Sequence, residues 1–344
     1  MSPGHAARSE GASSVAPVPS GYERSLRPSL ETAIEPRQRA TSLQALLKVL
    51  TVNAGSTSLK RHLVEDGEAR PVEGYEPADA VGHRVVHGGA RFVESARVDE
   101  DVIAAIEELR PLAPLHNEPA LRAIREAQDA LPDLPHVAVF DTAFMATIPE
   151  EAATYAIPQR WRDEWGVRRY GFHGIAVRSV VERIAASRIV ACHLGGGCSV
   201  TAVLDGRAVD TSMGFSPLEG VPMATRSGSV DPGALVYLLR ERGLTVDELD
   251  RALEHESGLA ALGGLDDALG FAVYTYRIAG VAAHMAMAIG GLDVLAFSGG
   301  VGENRLDVRE SIASRLRFAG EFRVEVAPAR EELVIAAEVR SLLG

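Results

Sequence analysis

From Lys48 onward, short runs of consecutive apolar residues alternate with longer stretches in which apolar positions return every three or four residues. The runs at 48–53, 58–64, 83–87, 136–140, 189–193, 199–204 and 293–298 predict strands. The periodic stretches at 100–109, 117–130, 174–186, 232–242, 246–255, 268–288 and 305–316 predict helices, and 329–341 a final amphipathic helix. Strands alternating with helices predict an α/β protein. The strand ending at Asp141 is soon followed by a second set of polar motifs, which puts a domain boundary just after Phe144. The most apolar late stretch, 278–297, contains His284, Asp293 and consecutive glycines, and so reads as helix, turn and strand instead of a membrane span. Residues 1–45 carry little periodic pattern and are rich in Ser, Pro, Ala, Gly and Arg. They are expected to be a disordered extension, or else no part of the native product, and they lack the apolar core of a signal peptide.

Polar motifs gather where strands end. Residues 52–60, VNAGSTSLK, follow an apolar strand and place a glycine, three hydroxyls and a lysine within six residues. Gly55 permits a turn that a Cβ would resist, Ser56, Thr57 and Ser58 can donate to phosphate oxygens, and Lys60 adds a positive point charge. A plain hairpin would explain the stretch equally well by itself. The arrangement repeats, however, at 189–200, where an apolar strand enters Gly195-Gly196-Gly197, and again at Ser298-Gly299-Gly300-Val301-Gly302-Glu303-Asn304. The first two units each reach an Asp-Gly hairpin signal, Asp66-Gly67 and Asp205-Gly206. Three strand-to-glycine turns suggest a nucleotide held between two similar halves. Neither GxxxxGK[ST] nor GxGxxG is present, which argues against a P-loop kinase and a dinucleotide-binding dehydrogenase.

A net charge of −12 over 344 residues argues against a general binder of nucleic acid or anionic membrane, so any phosphate site must be locally basic. The two cysteines, Cys192 and Cys198, give no disulfide framework and suggest a reducing, cytoplasmic setting.

Four further clusters carry candidate chemistry. Arg84, inside the apolar strand of GHRVVHGG, is either a structural ion-pair partner or a clamp for a small carboxylate. Asp141, at a strand end between apolar residues, is either a helix N-cap or a magnesium-linked or basic carboxylate. His173 sits between glycines at a helix start, where it is either a capping histidine or a functional imidazole, and Arg226 lies in the turn Thr225-Arg226-Ser227-Gly228. An arginine there could neutralise a transferring phosphoryl group or simply occupy a surface turn.

These motifs, in order, resemble the acetate kinase family of the acetate and sugar kinase, Hsp70 and actin superfamily. The resemblance rests on VNAGSTSLK at 52–60, GHRVVHGG at 82–89, LAPLHN at 112–117, VFDTAF at 139–144, RRYGFHG at 168–174, DTSMGFSPLEG at 210–220, TRSGSVDPG at 225–233, GGVGEN at 299–304 and EELVIA at 331–336. It implies an α/β, two-domain actin-like ATPase (ribonuclease H-like) fold with a duplicated core. Residues 46–145, joined by the C-terminal helix at 329–344, would form the first domain and 146–328 the second. It further implies Mg2+-dependent (or Mn2+-dependent) transfer of phosphoryl between ATP and acetate in a cytoplasmic homodimer. Under it, Asn53, Ser56, Ser58 and Lys60 would face the phosphates and the metal. Arg84 would bind the acetate carboxylate, and Val86, Leu115, Phe172 and Pro217 would line the methyl pocket. Asp141 would be the catalytic carboxylate, with His173 and Arg226 on the transferring phosphoryl. His193, Leu194, Gly195, Gly196 and Gly197, together with Asp267 and Gly300, Val301, Gly302, Glu303 and Asn304, would hold ATP, and Glu331 would help hold the metal.

The chain also departs from the family pattern. Only Gly67 to Val81 joins the first hairpin to GHRVVHGG, Gly196 stands where the family has Asn, and Ile175-Ala176-Val177 replaces Thr-Ser-His. In Gly264-Leu265-Asp266-Asp267-Ala268 an aspartate remains, but the arginine of the family's Ser-Asp-x-Arg is gone, and a stretch between Gly320 and Glu331 is short. Two alternatives therefore accompany acetate kinase: a propionate or butyrate kinase, and a degenerate nucleotide-binding homologue.

Overall fold

The computed structural model describes residues 47–55, 59–110 and 114–344, with the side chains of 114–116 excepted. The expected N-terminal extension, Ser56, Ser58 and the side chain of Leu115 lie outside the described residues.

Eleven strands form two sheets among the described residues: β1 Val49–Ala54, β2 Leu59–Glu65, β3 Glu68–Val72, β4 Ala80–Val85, β5 Ala96–Arg97, β6 His136–Phe140, β7 Arg188–Leu194, β8 Cys198–Leu204, β9 Arg207–Thr211, β10 Val294–Ser298 and β11 Arg323–Val326. The first sheet has the order β3-β2-β1-β4-β6-β5 and the second β11-β10-β7-β8-β9. Each is built on one plan. An antiparallel meander, β1-β2-β3 or β7-β8-β9, is extended beside its first strand by two parallel strands, β4-β6 or β10-β11. The duplication expected from the repeated glycine turns is thus present in strand order.

The hairpin turns follow from their residues. Asp66-Gly67 and Asp205-Gly206 all have positive φ, 50° and 79° in the first pair and 49° and 77° in the second, which suits the right-handed twist of the flanking strands. β1 is buried apart from Asn53, and β7 apart from its first residue, Arg188, and His193 near its other end. That burial explains their unbroken apolar runs.

Hydrophobic layers cover both sheets. The C-terminal helix Glu331–Leu343 sets Val334, Ile335, Ala336 and Val339 against Val49, Ala80 and Val137 of the first sheet. Its Arg340 donates to the carbonyls of Leu47 and Val64 at 2.8 and 3.1 Å. The long helix Ala268–Ala288 buries Tyr274, Ile278, Ala282 and Met285 against β7 and β8. Val86, just past β4, packs in this same cluster with Phe172 and Met213.

Several boundaries differ from expectation. The strand expected at 83–87 begins earlier, at Ala80, because Gly82 pairs with Thr51 of β1 beneath the C-terminal helix. A Cβ on Gly82 would sit 2.6 Å from Ile335, so a residue that ordinarily breaks strands serves here for close approach. The helix expected over 174–186 ends at Val181. β3, β5, β9 and β11 were not expected, and β3 and β11 are largely exposed edge strands rich in charge, without apolar runs. The turn expected over Gly299–Asn304 is itself a helical turn that opens at Gly299, φ 78°.

Candidate active site

The polar residues converge because the parallel strands end side by side. β4 pairs with β6 so that Arg84 lies opposite Val139 and Val85 opposite Phe140, which carries Asp141 out beside Arg84. β1 pairs with β4 on the other side and delivers Asn53. In open α/β sheets ligand sites form beyond such carboxyl ends.

Arg84 is the hub. Its Nη2 and Nε donate to Asp141 Oδ2 at 2.6 and 3.2 Å, and its Nη1 donates to Asn53 Oδ1 at 3.2 Å and lies 3.8 Å from Glu331. The Asn53 amide nitrogen in turn donates to Glu331. Both readings of Arg84 left open by the sequence thus begin from an ion pair. The N-cap reading of Asp141 does not hold: Phe140 occupies the cap position of the helical turn Asp141–Phe144, and Asp141 turns toward Arg84. Asp141 Oδ1 is buried and has no hydrogen-bond partner.

The electrostatics follow from burial and pairing. Burial works against the Arg84 charge, yet Asp141 and Glu331 more than offset it and raise its pKa further. Burial pushes the Asp141 carboxyl up, and Arg84 only partly reverses this. Burial also opposes ionisation of Glu331, but Arg84, His193 and the Asn53 amide outweigh it and hold that carboxyl below its usual range. Lys60, the register partner of Asn53 across β1–β2, adds to the same effect.

The second sheet contributes the opposite face. His193, near the end of β7, is the counterpart of Asn53 on β1: each stands two residues before a glycine turn. Its Nδ1 lies 3.0 Å from Ser298 Oγ on β10, and burial lowers the pKa of its imidazole, with Glu331 opposing the shift. The turn Gly195–Gly197 is closed by Gly195 N–H donating to Gly197 O at 3.0 Å.

His173 is set by unusual backbone. It caps the helix Gly174–Val181 in the left-handed region, φ 60° and ψ 22°, and its Nδ1 lies 3.1 Å from Ser199 Oγ on β8. Such a φ is uncommon outside glycine and is maintained only where surroundings enforce it. The next residue is packed closely: any Cβ on Gly174 would collide with the carbonyl oxygen of Asp141. The rings of His173 and His193 meet edge to face at 4.8 Å. A Cβ placed on Gly197 would lie 3.2 Å from His173 Nε2 and 3.6 Å from Arg226 Nη1, so both candidates for the transferring phosphoryl flank this glycine.

Of the apolar candidates, Val86 and Phe172 are 3% and 1% exposed and lie in one cluster, and Pro217 is buried. Pro217 belongs to the segment 211–220, which Arg169 fastens by donating to the carbonyls of Thr211, Ser212 and Met213 at 2.8, 3.2 and 3.2 Å and to Glu219 at 2.9 Å. Tyr155 donates to the same Glu219 and accepts from Phe215 N–H at 3.0 Å. Asp267 caps the helix Ala268–Ala288, its carboxylate accepting from Leu269 and Gly270 N–H at 2.8 and 3.1 Å. Gly299 packs against the end of β7, which sets the turn Gly299–Asn304 beside Gly195.

Sequence reasoning missed the partners. Ser199 and Ser298 sit inside the glycine motifs and were legible there as hydroxyls beside imidazoles. Arg169 lay in RRYGFHG without a role. Glu254, which accepts from Arg226 Nε at 2.7 Å, gave no signal in an amphipathic helix rich in charge.

Comparison with known proteins agrees with the geometry. The profile of the acetokinase family matches residues 71–335. The acetate kinase of Deinococcus deserti is 46% identical over 275 residues, covering 73% of this chain and 68% of that protein. The crystal structure of Porphyromonas gingivalis acetate kinase superposes with a TM-score of 0.78 at 32% identity, over 87% of this chain and 100% of the other. A propionate kinase from Francisella tularensis superposes with a TM-score of 0.78 at 30% identity, over 85% and 99%. The fold is therefore the two-domain actin-like ATPase fold of these kinases.

Proposed function

This chain belongs to the acetokinase family, and from that premise we propose that it transfers a phosphoryl group reversibly between ATP and acetate, giving acetyl phosphate and ADP. The observation that carries the reading is the Arg84–Asp141–Asn53–Glu331 cluster, gathered where β1, β4 and β6 end and the C-terminal helix begins.

Acetate is ionised at neutral pH, so the attacking oxygen needs no base. What it needs is a cation to orient it, and Arg84 is the group at hand. A guanidinium fork matches a carboxylate in two places. Val86, Phe172 and Pro217 make the apolar wall for the methyl group. In the opposite half, Gly195–Gly197 and Gly299–Asn304 cradle the nucleotide phosphates. His173 and Arg226 flank Gly197, where they meet charge spread over the equatorial oxygens of the phosphoryl in flight. Binding energy goes mainly into alignment, because the transition state is loose and asks little covalent chemistry of the protein.

The donor set suits a small, hard divalent cation. Glu331 and Asn53 offer oxygen, and Asp141 Oδ1 is a buried carboxylate oxygen without a partner. Among the described residues no cluster of three or more His, Cys, Asp or Glu is arranged as a complete cage. Mg2+ asks for none, since it is ordinarily held by one or two carboxylates with waters and substrate phosphates. When bound, the ion would neutralise phosphate charge. Lys60, beside Asn53 across β1–β2, serves the phosphates from the first sheet.

The two sheets with their helices, 46–145 plus the C-terminal helix and 146–328, form the two domains of this reading. Exposed Val236, Tyr237 and Tyr276 on the second support a homodimer. No helix among the described residues is long and apolar enough to cross a membrane, and the free, buried Cys192 and Cys198 fit a reducing cytoplasm. The test is formation of acetyl phosphate, trapped as the hydroxamate, from ATP, Mg2+ and acetate. Absence of product from folded protein would overturn the assignment.

A further inference from the structure

We propose that Glu254 is a positioning residue for phosphoryl transfer: by holding Arg226 at Nε it aims that guanidinium at the transferring group and thereby sets kcat. The inference rests on the role given above to Arg226.

The turn that carries Arg226 is strapped on two sides. Toward the helix Val246–His255, Thr225 Oγ1 donates to Glu254 O at 2.8 Å, Ser227 N–H to Leu253 O at 3.0 Å and Ser257 N–H to Thr225 O at 2.9 Å. Toward the glycine turn, Ala224 N–H donates to Gly196 O at 3.2 Å. These bonds place the backbone of Arg226, but they leave a side chain with several rotatable bonds to be oriented. The Glu254 carboxylate supplies that orientation. It accepts from Nε at 2.7 Å, and both side chains are only 15% exposed, so solvent does little to weaken the bond. Nε is the guanidinium nitrogen nearest the backbone. A carboxylate gripping it fixes the plane of the group and directs Nη1 toward Gly197 and His173 Nε2.

The helix bearing Glu254 has no fully buried side chain. Core packing therefore does not dictate its distance from the glycine turn. Its N-terminus is fixed by the reciprocal Thr245–Glu248 capping bonds, and its other end by the strap to residues 225–227. The ion pair makes Arg226 follow this helix.

A role exerted through Arg226 predicts a specific kinetic pattern. Glu254→Gln should lower kcat about 10- to 100-fold, with KM for ATP and for acetate within about threefold of wild type, because the loss falls on the transition state. In an Arg226→Lys background, where no Nε remains to be gripped, the same substitution should change kcat by less than about twofold. Glu254→Asp keeps the charge but is one methylene shorter. It should recover part of the rate, and it carries the test alone if the Gln variant does not fold, with kcat then expected several-fold below wild type. A wild-type kcat in Glu254→Gln, or in Glu254→Asp if that variant stands alone, would overturn the proposal. So would a change confined to KM, or an equal loss in both backgrounds. An inactive wild-type protein would instead overturn the functional assignment itself.

Discussion

Arg84 grips a single oxygen of Asp141, with Nη2 at 2.6 Å and Nε at 3.2 Å from Oδ2, and leaves Oδ1 buried with no partner. The carboxylate is fully buried, and the Ile175 backbone N–H joins Arg84 in favouring its ionised form. Asp141→Asn should keep the volume and lose the charge. We expect kcat to fall about 10²–10³-fold, as for loss of one preorganised electrostatic group. The melting temperature should fall as well, since a buried guanidinium loses its counter-charge. Hydroxamate kinetics alongside a thermal melt check both, and a near wild-type rate would remove Asp141 from the chemistry.

Glu331 reaches the site from the start of the C-terminal helix, where Asn53 and Arg84 hold it ionised. If it also helps hold the divalent ion, Glu331→Gln should raise the Mg2+ concentration for half-maximal rate by about 10-fold or more, in the range seen when groups ordering a metal site are lost. Titrating Mg2+ at fixed ATP measures this. Removal of the metal with a chelator should abolish turnover in the wild type while leaving its circular dichroism unchanged.

The apolar wall should govern acid choice. Val86 is 3% exposed and packs with Phe172. Val86→Ala would make room for about one further carbon. The ratio of kcat/KM for propionate over acetate should then rise about 10-fold, the order of discrimination one methylene allows. An unchanged ratio would place the methyl pocket elsewhere.

Buried neutral histidines make stability depend on pH. His83 Nε2 lies 2.9 Å from His136 Nδ1, and burial, then the neighbouring His136, pushes His83 down to about 3. Burial takes His87 down to about 4. Their unfolded values are about 6.5. The unfolded chain thus binds more protons at intermediate pH, so stability is complete above about 6.5 and is lost as pH falls toward the folded values. For these two residues the loss between pH 7 and 5 should be roughly 3–4 kcal/mol. Urea unfolding at the two pH values checks this, and His83→Gln should remove about half of it.

How far the sequence foretold this structure depended on whether the signal was local. The helix Ala268–Ala288 matches its expected bounds because Asp267 caps it and the glycines at 290 and 291 follow its end. β1, β7 and β10 were legible as apolar runs that enter glycine turns. β11 was not, since its Arg323 and Glu325 sit on a largely exposed edge where no apolar run is needed. In the site, Arg84 and Asp141 were each visible as polar residues at strand ends. Their pairing was not, because it depends on the parallel register of strands more than fifty residues apart. Glu254 was invisible for a related reason. An acidic residue on an amphipathic helix looks like ordinary surface until the turn bearing Arg226 is folded against it.

The internal pairing of the site's arginines has a consequence for how anions arrive. The chain carries a net charge of −12, and both Arg84 and Arg226 already face carboxylates. Little positive field then extends outward to draw acetate or a nucleotide in from a distance. Recognition is then a matter of short range: at Arg84 an incoming anion meets a guanidinium already paired with Asp141, and at Arg226 one whose Nε stays on Glu254. Encounter with anions should accordingly quicken modestly as ionic strength rises, because salt screens the net negative charge, and selectivity should be decided after contact.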